Sequence, residues 1–113
     1  ADRKLLAKPE IREIFSASLA EASCQGPLYG ADELTIFGAD WNAFIEEILI
    51  PVDLWHGNSD RVVPVAMAHQ LEAHLQHSEL HISPGEGHFS LPILHAGKIF
   101  RTLQERQASQ RDA

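Results

Sequence analysis

The chain has 113 residues, 44% of them hydrophobic, with 9 Lys and Arg against 16 Asp and Glu and a formal charge of −7. That size and apolar fraction suit one modest folded unit and exclude a disordered or fibrous chain. The acidic balance argues against nucleic-acid binding, which needs clustered cations, and no stretch approaches the ~18 apolar residues of a membrane span. Cys24 is the single cysteine, which excludes an internal disulfide and a thiol-rich metal site and favours a reducing, cytoplasmic setting. The opening Ala-Asp-Arg-Lys-Leu-Leu lacks the apolar run of a signal peptide, and the absence of Met at position 1 leads us to expect further residues upstream.

Pro9 stands where the first turn of a helix tolerates proline, and Ile11, Ile14, Phe15, Leu19 and Ala22 then recur at helical spacing, predicting an amphipathic helix. It should stop near Gly26-Pro27, because glycine takes the left-handed cap conformation and proline cannot continue the ladder. Two short helices are expected next, over 32–37 and 40–48, each opened by an aspartate of N-cap type. After Pro51 the character changes. Val52 to His56 form an apolar run that the turn cluster Gly57-Asn58-Ser59-Asp60 ends, which predicts a strand. Asp53 interrupts that run and is expected at the strand's start, on the face opposite Val52 and Leu54.

Pro64, Met67, Ala68, Leu71 and Leu75 recur every three or four residues with His69, Gln70 and Glu72 opposite, predicting a helix of about three turns. Leu80 and Ile82 alternate with Glu79, His81 and Ser83 in a second strand that Pro84-Gly85 terminates. Ser90 is expected to cap a last helix with a buried stripe of Ile93, Ala96, Ile99, Phe100 and Leu103, fraying from Gln104. The predicted organisation is α/β: a helical region over residues 1–48, then a βαβ unit and a C-terminal helix over residues 49–113.

In a βαβ crossover the strands are parallel, so the loops leaving their carboxyl ends emerge on one edge of the sheet, where ligands bind in open α/β folds. Asp60 and His88 occupy those two loops. An aspartate that accepts a hydrogen bond from one imidazole nitrogen fixes the ring's tautomer, leaving the other nitrogen to take a proton from a nucleophile and later return it. Gly85 and Gly87 permit a tight turn that presents His88 over the sheet edge. Two plainer readings stand beside these: Asp60 as a turn residue bonding its own backbone, and His88 as a hydrogen-bonded structural histidine.

Pro51, Val52, Leu54, Gly57, Asp60, Val63 and Pro64, followed by Gly85, Gly87, His88 and Phe89, match the pattern Pro-Val-x-Leu-x-x-Gly-x-x-Asp-x-x-Val-Pro and then Gly-x-Gly-His-Phe. Over roughly residues 48 to 103 the chain therefore resembles the C-terminal portion of an α/β-hydrolase fold. The resemblance implies Asp60 as the triad acid, His88 as the general base, and a nucleophile upstream of Ala1. No serine lies in Gly-x-Ser-x-Gly, so the elbow, the oxyanion loop and most of the parallel sheet are missing from this sequence. Substrates implied are small molecules with ester-like or related bonds, with no cofactor and no metal.

His69, His74, His77 and His81 invite a zinc site, but their places on different helix faces, in a turn and on a strand scatter them, so they are expected to face solvent. His56, at the strand's carboxyl end, is open to two readings, pointing into the site or packing, while Trp41 and Phe44 are expected in the core, with substrate contact as the alternative. Gly85-Glu86-Gly87 is too short and too acidic to cradle phosphate. Two short parallel strands leave unpaired edges and an uncovered face, so the chain is predicted to associate with its missing N-terminal half, with another copy as a homo-oligomer, or with another protein. The alternative to a hydrolase part is a non-catalytic module that uses this surface to self-associate or bind a partner.

Overall fold

The computed structural model describes residues 1–24 and 26–111. Among them run α1 (Asp2–Leu6), α2 (Pro9–Ala22), α3 (Pro27–Phe37), α4 (Asn42–Ile45), β1 (Val52–Gly57), α5 (Val65–His74), β2 (Ser78–Ser83) and α6 (Ser90–Arg111), a mixed α/β arrangement. β1 and β2 are parallel neighbours, paired in register from Val52↔Ser78 to Gly57↔Ser83. Each strand is one residue longer than its apolar alternation suggests, β1 running into Gly57 and β2 starting at Ser78.

The register puts Leu54 and His56 with Leu80 and Ile82 on one face, and Asp53 and Trp55 with Glu79 and His81 on the other. The first face meets α5, which buries Ala68, with Leu75 buried just beyond its end. The second face is crossed by α6. Arg106 of that helix donates to Asp53 Oδ1 at 2.7 Å and to Glu79 Oε2 at 2.9 Å, and Lys98 Nζ stands 5.3 Å from the centre of the Trp55 ring, a cation–π distance. Asp53 is thus tolerated in an apolar strand because a cation neutralises it. Burial raises its pKa, but hydrogen bonds from His81 and Arg106 and the guanidinium charge outweigh that and hold it below the ordinary aspartate value.

Four expectations about helices change. α2 ends at Ala22, where the amide and the hydroxyl of Ser23 both bond Leu19 O, at 3.0 and 2.7 Å. Gly26, at φ +93°, instead opens α3, which starts at Pro27 and not at residue 32. The helix expected over 40–48 is the single turn of α4. α6 runs to Arg111, with Arg106 bonded to the sheet in the stretch past Gln104. Its inward face is also different: Leu91, His95, Ala96, Ile99, Thr102 and Arg106 turn toward the protein, while Ile93, Phe100 and Leu103 are exposed. Apolar residues lie around much of this helix, so periodicity did not single out the face that packing selects.

The buried apolar residues among those described are Leu5, Ala68, Leu75 and Leu91. The radius of gyration, 16.6 Å, exceeds the roughly 13 Å of a compact domain this long. Much of the excess reflects α2 and α3, where Ile14, Leu19, Leu34 and Ile36 are exposed. No described helix is long and apolar enough to cross a membrane.

Candidate acid–base site

The two loops that leave the strand ends lie against each other. A Cβ at Gly57, the last residue of β1, would collide with the Glu86 carbonyl of the second loop, so only glycine fits there without displacement. Three hydrogen bonds stitch the loops: Asn58 N to Ser83 O at 3.2 Å, Ser59 N to Glu86 O at 2.9 Å, and Gly85 N to Asn58 Oδ1 at 2.8 Å. Gly85 reverses the second loop at φ +76°.

Asp60 and His88, 28 positions apart, meet across this junction with His88 Nδ1 2.9 Å from Asp60 Oδ2. The other carboxylate oxygen, Oδ1, accepts from Val62 N at 2.7 Å and Val63 N at 2.8 Å. Both readings of Asp60 hold at once: it bonds its own turn and it bonds the imidazole. The side chain is only 5% exposed. Burial alone raises its pKa, yet the hydrogen bonds from Val63, His88 and Val62 overcome that and keep it below the ordinary 3.8. An ionised Asp60 only accepts, so His88 Nδ1 carries the proton and Nε2 is left as the basic nitrogen.

His88 is 38% exposed, which keeps its ring reachable. It borders a cavity of about 270 Å³ between the sheet end and α6, lined also by His56, Asp60, Val63, Leu91 and Pro92. Among the described residues no hydroxyl or thiol is hydrogen-bonded to His88. Ser59, which precedes Asp60, and Ser90, two residues after His88, are engaged elsewhere, Ser59 Oγ with Asn58 Oδ1 at 3.3 Å and Ser90 Oγ with Gly87 N at 2.8 Å.

His56, open in the sequence between packing and a place in the site, lies beside Asp60. Its Nε2 lies 3.0 Å from Val63 O and 3.9 Å from Asp60 Oδ2. A carbonyl can only accept, so His56 Nε2 donates to it and pins the turn that holds Asp60.

Asp2 was not foreseen. Leu91 N bonds Gly87 O at 3.4 Å, closing a turn from Gly87 that leads into α6, and the amides of His88, Phe89 and Ser90 are the donors that such a helix entry leaves unpaired. Gly87 has no side chain to cap them. Asp2 does so from the other end of the chain: Oδ2 accepts from His88 N at 2.8 Å, and Oδ1 from Phe89 N at 3.1 Å and Ser90 N at 2.8 Å. Ser90, expected to cap the helix, is the first residue of α6, and its Oγ accepts from Gly87 N in the preceding turn. The only hint in the sequence was a glycine at a helix start, which says that a cap is needed but not which residue provides it.

His81 is a correction as well, being stacked on Trp55 at 4.1 Å and bonded through Nε2 to Asp53 Oδ1 at 3.0 Å instead of facing solvent. Asp53, Glu79 and His81 bring ligand-type atoms within 4.8 Å of one another, but the Arg106 guanidinium already bonds both carboxylates. His69 and His74 turn to carboxylates of their own, Glu72 at 3.7 Å and Glu46 at 3.1 Å. Trp41 and Phe44 are 46% and 67% exposed, so neither is core. Trp41 lines a second cavity of about 520 Å³ with Ile45, Leu54, Met67 and Leu71, which shares His56 and Val63 with the cavity beside His88.

Comparison with protein-family models, with curated proteins and with solved structures finds no match to this chain.

Proposed function

We propose that this chain is the C-terminal portion of an α/β-hydrolase fold and supplies Asp60 and His88 to a nucleophile–histidine–acid triad acting on ester-like bonds. The observation that carries the reading is the 2.9 Å contact between His88 Nδ1 and a buried, doubly anchored Asp60 at the ends of two parallel strands. In the proposed reaction His88 Nε2 takes the nucleophile's proton as that atom attacks the carbonyl carbon. The tetrahedral intermediate collapses, the leaving alcohol receives the proton from His88, and the acyl group stays on the nucleophile. Water then attacks the acyl group, giving its proton to His88, which passes it to the nucleophile as the acid departs.

The nucleophile in this reading lies upstream of Ala1. A protein expressed from the reading frame extended upstream should hydrolyse activated esters, and His88→Ala and Asp60→Asn should each remove most of that turnover. The 113-residue chain alone should do neither this nor react with a fluorophosphonate. Unchanged turnover in folded His88→Ala protein would remove the assignment.

A second reading, a module that binds through its apolar surface, is favoured by the exposure of Leu19 at 69%, Leu34 at 73% and Ile50 at 71% and by strands with one neighbour each. In that case the extended protein shows no esterase activity, and the chain sediments as a concentration-dependent assembly that Leu34→Glu disperses.

A further inference from the structure

We infer that Asp2 is a positioning residue for His88: the carboxylate near the start of the chain fixes the backbone turn from which the imidazole reaches Asp60. The inference rests on the reading of His88 as the base, but its geometry stands on three independent contacts. Asp2 accepts from the amides of His88, Phe89 and Ser90 at 2.8, 3.1 and 2.8 Å, one after another along the turn that leads into α6. These are the orphan donors of a helix start, and a carboxylate there gains both hydrogen bonds and the favourable end of the helix dipole.

The surroundings are built for that carboxylate. A Cβ on Gly87 would collide with it, so the residue that lacks a capping side chain is also the one that makes room for the substitute. Leu5 of the same short helix is 4% exposed, and Phe15 of α2 meets Phe89 edge-on at 4.9 Å. The first helices are therefore joined to the His88 turn by the Phe15–Phe89 contact as well as by the Asp2 carboxylate. Asp60 orients the ring at Nδ1 and Asp2 holds the backbone at the same residue's amide, so His88 is fixed at both ends.

The substitution that separates positioning from general support is Asp2→Asn, which keeps size and one acceptor oxygen. If that oxygen serves Phe89 and Ser90, the amide group faces His88 N, donor against donor, and His88 alone loses its partner. Hydrogen exchange and the His88 Nδ1–H resonance are to be read by NMR in the 113-residue chain. In Asp2→Asn the His88 amide should exchange roughly five- to tenfold faster, as loss of a cap of this kind implies. The Nδ1–H signal should broaden, while the amides of Leu54 and Trp55 in β1 keep their protection. Wild-type exchange at His88 together with an unchanged Nδ1–H signal in Asp2→Asn would overturn the inference. Absence of the Nδ1–H signal from the wild-type protein would instead remove the Asp60–His88 pairing, a different failure from that of Asp2.

Discussion

The two halves of the molecule use similar amounts of apolar sequence to different ends. From Val52 onward, helices cover both faces of the small sheet, Ala68, Leu75 and Leu91 are buried, and the loops at the strand ends close on each other. Before residue 50, α2 and α3 carry Ile14, Leu19, Leu34 and Ile36 on the surface. Among the described residues, Asp2 of α1 and Phe15 join this region to the His88 turn, and Glu46 joins it to His74 and Gln76. An apolar stripe at helical spacing is therefore a demand for a partner, and the partner can lie outside the chain.

The largest contrast should come from chemistry. In the active protein, Asp60→Asn should lower ester turnover by up to ~10⁴-fold, because the imidazole loses the acceptor that fixes its tautomer; steady-state kinetics on activated esters reads this. A change of similar size in Leu34→Ala would break the distinction between the halves.

Next come packing effects. Leu91→Ala, at a side chain 5% exposed, should destabilise the chain by ~2–5 kcal/mol, whereas Leu34→Ala, at 73% exposure, should stay within ~0.5 kcal/mol. Urea midpoints of the two variants test the comparison directly. Gly57→Ala should cost about 1–3 kcal/mol, since its methyl group meets the fixed Glu86 carbonyl.

The pH dependence belongs mainly to carboxylates at the sheet and at the His88 turn. Asp2, Asp53 and Asp60 all have pKa values below the ordinary 3.8 despite the opposing effect of burial. A carboxyl depressed by folding adds stability that is fully present above its unfolded value and is lost as pH falls through its folded value. Urea midpoints should thus be insensitive to these groups from neutral pH down to about 5 and fall below about 4. Asp60→Asn should make that fall shallower. A small gain is expected at Gly30, inside α3 with open space around it, where alanine should add ~0.5–1 kcal/mol by restricting the unfolded chain.

The sequence was legible wherever cause and partner were close together. Alternation located both strands to within a residue, and parallel strand ends brought Asp60 and His88 together, because a short crossover leaves the loops few other places to go. Asp53 was expected at the strand's start on the face opposite Val52 and Leu54, but nothing local announced Arg106, 53 positions away in a stretch read as fraying, as the cation that neutralises it. Asp2 is 86 positions from His88 and has no local pattern to announce it. The face of α6 was missed for a related reason. Its apolar residues fit more than one stripe, and only docking of Arg106 and Leu91 chose between them.

The most direct test is the tautomer of His88, read from long-range proton–nitrogen correlations in the folded chain near neutral pH. We expect the proton on Nδ1 with Nε2 unprotonated, a pattern lost in Asp60→Asn. A proton on Nε2 in the wild-type protein, or the same spectrum with and without the Asp60 carboxylate, would contradict the account.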